Sequence, residues 1–146
     1  MDTMQLLADR VEIDALRGEF SDAAMTRDFD RLAELFTEDA VLRIPEAGIE
    51  VIGRAALRAG AERMQAQWEV FVQTIHPGTI SLDGDAATGR TYVAELGRLR
   101  DGRSHQNYAI YHDRYRRTAG GWRFAERTYE VRYTDDSPLH GKGHRS

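Results

Sequence analysis

The spacing of apolar residues changes halfway along the chain, and this change constrains the fold more than any other feature. In the second half, apolar and polar residues alternate along four segments: 69–82, 86–99, 104–117 and 122–133. A repeat of two residues is typical of β-strands, because successive side chains point to opposite faces. The breaks between the segments carry turn sequences, namely Asp83-Gly84-Asp85, Asp101-Gly102 and Gly120-Gly121. We therefore predict four long strands in an antiparallel meander.

The first half has the spacing of amphipathic helices instead. A long helix is predicted from Leu6 to Arg27, because apolar residues recur three and four positions apart at Ile13, Leu16, Phe20 and Ala24. Asp28 can cap a second helix that ends near Thr37. A third helix is predicted from Arg54 to about Gln67. Between the second and third helices, the short apolar stretches 40–44 and 49–52 flank a turn and predict a pair of strands.

Helices followed by long hairpins predict an α+β fold, with N-terminal helices packed on one face of a curved antiparallel sheet. Strands of this length twist and coil, which leaves a concave face able to enclose a pocket. The sequence contains no repeat or linker, so we predict one domain over residues 1–136. Residues 137–146 contain Pro, Gly and His and predict a flexible C-terminal tail.

Composition excludes several classes of function. The 146 residues include no cysteine, which rules out disulfides, thiolate nucleophiles and cysteine-bound metals and favours a cytoplasmic location. The net charge of -4 is spread along the chain, so we expect no nucleic-acid partner. No apolar run approaches the roughly 20 residues that span a bilayer, and the N-terminus lacks the order of a signal peptide. We predict no membrane partner.

Five short motifs occur in a characteristic order: Ile13-x-x-Leu16, Arg27 to Ala40, Thr74-Ile75-His76, Tyr111 to Arg114 and Gly120 to Arg127. In this order the chain resembles, over nearly its whole length, the SnoaL-like branch of the nuclear-transport-factor-2-like superfamily. The resemblance implies a cone-shaped domain with a pocket at its wide end, commonly dimeric through the outer face of the sheet. Relatives include polyketide cyclases, scytalone dehydratase, a hexachlorocyclohexane dehydrochlorinase, steroid isomerases and proteins without known catalysis.

In the dehydratase and dehydrochlorinase relatives, a histidine on the sheet abstracts a proton and an aspartate near the end of the first helix orients it. The resemblance implies that His76 is this histidine. Counted from Ile13 without a gap, the aspartate falls on Met25, which can neither accept an N–H bond nor hold charge. Asp22 cannot replace it, because at about 100° per residue it points away from the apolar stripe. The familiar pair is therefore incomplete.

Glu95 is the remaining candidate acid. It alternates with Thr91 and Val93 on one side of the second long strand, the side that the resemblance places toward the cavity. There burial would raise the pKa of its carboxyl group, so that it could transfer protons near neutral pH or orient His76. The alternative is that Glu95 lies on the solvated face or on a dimer face of the sheet, paired with Arg98, Arg100 or Arg103.

The resemblance also implies that Arg127 reaches the pocket, where it would stabilise developing negative charge. The alternative is an ion pair with Glu95, Asp113 or Glu130. On the last strand we expect Arg127 and Tyr129 to share a face with Arg123 and Ala125, opposite Trp122 and Phe124. On the third strand Asn107 and Tyr111 share a face that the resemblance places toward the pocket, where they would bind a carbonyl or hydroxyl group.

These features favour a small cofactor-independent enzyme that dehydrates, eliminates from, isomerises or cyclises an apolar oxygenated molecule. The predicted catalytic residues are His76, Glu95 and Arg127. The predicted substrate-binding residues are Arg17, Phe20, Ser21, Met25, Trp68, Phe71, Val93, Asn107, Tyr111 and Tyr129. No metal site is predicted, because the histidines lack metal-ligand spacing. The alternatives are a non-catalytic protein that binds a hydrophobic ligand and an association module. A homodimer or higher homo-oligomer is expected.

Overall fold

A computed structural model describes residues 2–144, and its first helix spans most of the predicted range. Helix α1 covers Thr3–Thr26 and begins earlier than predicted, because the Asp2 side chain accepts from the backbone N–H of Gln5 at 2.8 Å. It ends where Arg27 adopts a left-handed conformation with φ of 58°. Its buried side, which includes Ile13 and Phe20, lies against the sheet.

Two shorter helices complete the helical layer. Helix α2 covers Phe29–Glu34, and Asp28 caps it by accepting from the backbone N–H of Arg31 at 3.3 Å. It ends three residues before the predicted Thr37, because the chain passes directly into the first strand at Phe36. Helix α3 covers Arg54–Ala66, close to the predicted range.

Six strands form one sheet in the order β2-β1-β6-β5-β4-β3. Their bounds are Phe36–Ile44 for β1, Ile49–Ile52 for β2, Trp68–Asp83 for β3, Ala86–Leu99 for β4, Ser104–Thr118 for β5 and Gly121–Asp135 for β6. The four long strands form the predicted antiparallel meander. Strand β1 joins it by parallel pairing with β6, with Leu42 opposite Arg127, which the sequence did not indicate. The fold is α+β, with helices followed by a curved sheet.

Irregularities in pairing decide which side chains face α1. Between Arg114 and Tyr115 of β5 the register with β6 shifts, so that Glu126 and Phe124 are successive partners and Ala125 is an extra residue. The bulge brings Trp122 and Phe124 to the same buried side as Arg127. The prediction that Arg123 and Ala125 share the face of Arg127 is therefore wrong, because strict alternation does not continue through a bulge.

The core lies between α1 and the inner face of the sheet. The ring centroid of Phe20 is 5.9 Å from those of Phe36 and Phe124 and 5.8 Å from that of Tyr111, all in edge-to-face geometry. On β4, Gly97 leaves room for the Trp68 indole, since a Cβ at this position would lie 2.6 Å from its Cζ3. One helix and three strands are thus locked together by aromatic contacts.

After β6 the described chain has no helix or strand. Its residues return along β4 and β5: the Leu139 N–H donates to Ser104 Oγ at 3.1 Å, and Arg98 donates to the carbonyl oxygens of Leu139 and Gly141. Residues 145–146 of the predicted tail lie outside the described residues, and the flexibility of the tail stays a prediction. Within residues 2–144 no helix is long and apolar enough to cross a membrane.

Candidate functional site

Glu95 is a carboxyl group that the fold presents, half-buried, on the inner side of the sheet. It follows the buried Thr91 and Val93 on alternate positions of β4, and its side chain is half-buried. Tyr129 donates its hydroxyl to Glu95 Oε1, and Gln73 Nε2 donates to Oε2 at 3.0 Å. Burial raises the pKa of the Glu95 carboxyl group above its usual value, although these hydrogen bonds and the charge of Arg127 act in the opposite direction.

Helix α1 holds Gln73 from the opposite side. Ser21 Oγ donates to Gln73 Oε1 at 2.6 Å, and the backbone N–H of Gln73 donates to Met25 Sδ at 3.4 Å. Ser21 and Met25 are four residues apart and therefore lie on one side of the helix. The result is a chain of hydrogen bonds from α1 through β3 to Glu95 on β4 and Tyr129 on β6.

Arg127 lies deeper and is fully paired. Its Nε and Nη2 donate to the Asp113 carboxylate at 2.7 and 3.2 Å, and the side chains are 1% and 0% exposed. Thr91 and Tyr115 also donate to Asp113, at 2.7 and 2.9 Å, and Arg17 Nε donates to the Tyr115 hydroxyl at 2.8 Å. The charge of Arg127 is therefore balanced inside the protein, as the ion-pair alternative with Asp113 expected.

Aromatic rings surround this guanidinium. Its Cζ lies 3.7 Å from the ring centroid of Tyr111, 4.1 Å from that of Phe124 and 4.5 Å from that of Phe20. The Tyr111 ring also packs edge-on against Tyr129, with centroids 5.1 Å apart. The Tyr111 ring thus contacts both the guanidinium of Arg127 and the ring of Tyr129, whose hydroxyl binds Glu95.

His76 lies on the other side of the sheet. Its side chain is exposed, and it pairs with Tyr92 in the register of β3 and β4. It lines an open hollow of about 680 Å³ together with Tyr92, Tyr108 and Arg132 on the outer face. Placing His76 in the internal pocket was therefore wrong, because the inner-facing positions of β3 are those of Phe71, Gln73 and Ile75.

The other candidates surround the inner face. The structure places seven of them in buried positions: Arg17, Phe20, Ser21, Val93, Tyr111, Arg127 and Tyr129. Four are partly buried: Met25, Trp68, Phe71 and Asn107. Trp68 and Phe71 pack with centroids 5.6 Å apart, and Asn107 pairs with Glu95 in the register of β4 and β5. Their roles in binding or catalysis stay predictions.

Sequence reasoning missed Gln73 and treated Asp113 only as a partner for Arg127. Gln73 had a usable signal, because it lies two positions from each of the apolar residues Phe71 and Ile75 and therefore shares their face.

Asp22 is exposed and pairs with Arg31 on the surface, in agreement with its predicted direction. Glu95 does not pair with its neighbouring arginines: Arg98 binds Glu69 and Arg103 binds Asp101.

Two hollows on the sheet lie away from Glu95. One is the hollow beside His76, and the other, of about 590 Å³, is lined by charged and hydroxyl side chains near Arg90 and Glu126. Neither hollow is lined by Glu95, Gln73 or Tyr129, so we locate the candidate site by the geometry around Glu95. Among the described residues, no three His, Asp or Glu side chains are grouped as metal ligands. The absence of a metal stays a prediction.

Comparisons with known proteins agree with this fold. A family model described as the SnoaL-like domain matches residues 5–128. LinA superposes with a TM-score of 0.87 at 25% identity, over 100% of this chain and 99% of LinA. The hexachlorocyclohexane dehydrochlorinase LinA-type3 from Novosphingobium barchaimii LL02 gives 0.85 at 23% identity, over 99% of each chain.

A protein from Novosphingobium aromaticivorans DSM, provisionally named an aromatic ring hydroxylase, gives a TM-score of 0.83 at 27% identity, over 90% of this chain and 94% of that protein. No curated protein matches the sequence. The match to the family model covers most of the chain, from the first helix into the last strand. The chain belongs to the SnoaL-like domain family.

Proposed function

We propose that this protein is a cofactor-independent enzyme that moves a proton on a neutral, apolar, oxygenated small molecule, and that Glu95 is the group that moves it. The observation that carries the proposal is the half-buried Glu95 carboxyl, held by Tyr129 and Gln73 on the inner side of the sheet. Burial raises its pKa toward the range in which a carboxylate is an effective base.

The chemistry follows from the groups around this carboxylate. Glu95 takes a proton from a carbon beside a carbonyl group, and the electrons of the C–H bond move toward the carbonyl oxygen as an enolate. Tyr129 and Asn107 lie beside Glu95 and carry the O–H and N–H groups that can bind this oxygen. Return of the proton to a different carbon of the enolate gives isomerisation, and loss of a leaving group at the next carbon, with its bonding electrons, gives elimination.

Charge restricts the substrate. The cation nearest to the site, Arg127, is bound by Asp113 and sealed from solvent, so it offers no free partner to a carboxylate or phosphate. An anionic substrate would also approach Glu95 with the same sign of charge. The substrate that these charges favour is therefore a neutral molecule with an apolar frame, in keeping with the aromatic side chains Trp68, Phe71 and Tyr111 on the same side of the sheet.

The hexachlorocyclohexane dehydrochlorinase that shares this fold supports an elimination as one candidate reaction, since its name describes the loss of hydrogen chloride. The acid–base group here differs from the one that the resemblance implied. His76 is on the outer face, and Met25 occupies the helix position expected to carry an aspartate. Glu95 is thus a partly exposed carboxyl group on the inner face, whereas Asp113 on the same face is sealed in its ion pair.

The test uses the bicyclic ketone 2-tetralone in deuterated buffer, where a base exchanges the hydrogens beside the carbonyl for deuterium. We expect the protein to accelerate this exchange, followed by proton NMR, and Glu95→Gln to lower the acceleration by about 100-fold or more. His76→Gln is the matched control and should stay within about twofold, because its side chain is exposed on the other face.

Exchange that persists in Glu95→Gln, or that disappears in His76→Gln, would overturn the assignment of the base. Binding of 2-tetralone without any acceleration of exchange would instead support the alternative that the protein only binds hydrophobic ligands. Isothermal titration with the same ketone separates this outcome from loss of binding.

A further inference from the structure

We infer that Gln73 is a positioning residue for Glu95, with its amide held between this carboxylate and Ser21 and its backbone N–H held by Met25 of α1. The inference rests on the proposed function, because the carboxylate that Gln73 orients is the base in that proposal. Gln73 is 3% exposed and has polar contacts on both ends of its amide group. It therefore joins the helix layer to the carboxylate.

The direction of each hydrogen bond follows from the donors available. Gln73 Nε2 lies 3.0 Å from Glu95 Oε2, and an ionised carboxylate can only accept, so the amide must present its NH₂ group there. Its carbonyl oxygen then faces Ser21 Oγ at 2.6 Å and accepts the hydroxyl proton. The opposite orientation would place two acceptors against each other at Glu95 unless Oε2 carried the proton.

Protonation of Glu95 affects the hydrogen bonds at its two carboxyl oxygens differently. While Ser21 donates to its carbonyl oxygen, the amide of Gln73 keeps donating to Oε2. The hydroxyl of Tyr129 can rotate from donor to acceptor at Oε1. The proton taken from substrate is therefore directed to Oε1, and the freed O–H of Tyr129 becomes available to the substrate oxygen.

Met25 fixes the backbone from which the Gln73 side chain extends. Its Sδ accepts from the Gln73 N–H at 3.4 Å, one helical turn after Ser21. The position that the resemblance assigns to an aspartate thus supports the β3 residue that contacts Glu95, rather than contacting a histidine. Position 25 of α1 thus orients a strand residue near the site through a methionine instead of an aspartate.

Few charged groups face Glu95. A change in its pKa when Gln73 is replaced can therefore be assigned to the lost hydrogen bond. Strand β6 contributes Arg127 and Tyr129, and β5 contributes Tyr111. Burial and Glu95 itself keep the pKa of both tyrosines well above the usual value, so neither tyrosine titrates near neutral pH. From α1 and β3 the contacts described above come from the uncharged Ser21 and Gln73.

The experiment labels glutamate with carbon-13 and follows the Glu95 carboxyl signal by NMR from pH 3 to pH 10, with Glu95→Gln for assignment. Removing a hydrogen bond to the charged form should raise the midpoint by about one to two pH units in Gln73→Leu. Ser21→Ala should raise it less, because the amide remains but can rotate. The matched control is Gln106→Leu on β5, whose neighbour Leu96 faces outward.

An unchanged midpoint in Gln73→Leu, or an equal change in Gln106→Leu, would overturn the inference. If Gln73→Leu does not fold, Ser21→Ala decides, and its midpoint must then rise above that of the parent protein. The rate of 2-tetralone exchange against pH should move by the same amount as the midpoint. Since the titration needs no substrate, failure of the proposed function and failure of the positioning role give different results.

Discussion

The ion pair between Arg127 and Asp113 yields the sharpest prediction about stability. Both side chains are sealed from solvent, and the Asp113 carboxylate accepts four hydrogen bonds, from Arg127 Nε and Nη2, Thr91 and Tyr115. Asp113→Asn replaces this anion with a neutral amide whose NH₂ group faces donors. The guanidinium then stays charged among aromatic rings without a counter-ion.

Breaking a buried pair from one side costs about 3–5 kcal/mol, because the remaining charge has lost its solvation. For a chain of 146 residues, about 1 kcal/mol corresponds to about 2–4 °C in Tm, so the variant should melt about 6–20 °C lower. Urea denaturation at pH 7, followed by circular dichroism, measures the free energy of unfolding. The midpoint should fall while the dependence on urea concentration stays the same.

Asp39→Asn is the control, because Asp39 forms an exposed ion pair with Arg116 and its loss should be hardly measurable. The double variant Asp113→Leu with Arg127→Met should recover most of the stability, since apolar side chains of similar volume avoid the desolvation of two charges. A loss below about 1 kcal/mol in Asp113→Asn would refute the reasoning, because it would mean that water reaches this pair.

Two further predictions concern acid stability and assembly. Arg117 holds the pKa of the Asp9 carboxyl group well below its usual range, so this contact stabilises the fold above the ordinary carboxyl pKa and is lost as pH falls. Urea denaturation should show that stability declines less between pH 5 and pH 2 in Asp9→Asn than in the parent protein. We also propose a homodimer through the outer face, where Tyr108 and Tyr133 are exposed. Light scattering at micromolar concentration should show a dimer that Tyr108→Glu converts to monomer, and a monomeric parent protein would contradict this.

The order of elements was predictable because each boundary has a local cause. Glycine-containing turns separate the long strands, and Asp28 caps the second helix where predicted. The parallel pairing of β1 with β6 has no such local signal, since it joins residues more than 80 positions apart, such as Leu42 and Arg127. The family resemblance implied the cone-shaped domain but not this pairing.

Bulges explain why faces were predicted well on β4 and poorly on β6. On β4 the alternation of Thr91, Val93 and Glu95 runs without a shift, and all three lie on the inner side. On β6 the extra residue Ala125 reverses the faces before Arg127. One inserted residue reverses the face to which every later side chain of the strand points. Nothing in the sequence near Ala125 marks the insertion.

The error at His76 has a different origin, because the strand itself contradicted the motif. Phe71 was predicted to line the pocket and His76 to act within it, yet they are five residues apart on one strand and must face opposite sides unless a bulge intervenes. The pairing of β3 with β4 shifts twice, between Trp68 and Val70 and between His76 and Thr79. Neither shift lies between Phe71 and His76, so neither can turn the histidine inward. Residues an even number of positions apart on a regular strand share a face, and this is a physical constraint, whereas a three-residue motif is only a resemblance. Counted from Phe71 on β3, this rule places Gln73 on the inner face, where its amide binds Glu95.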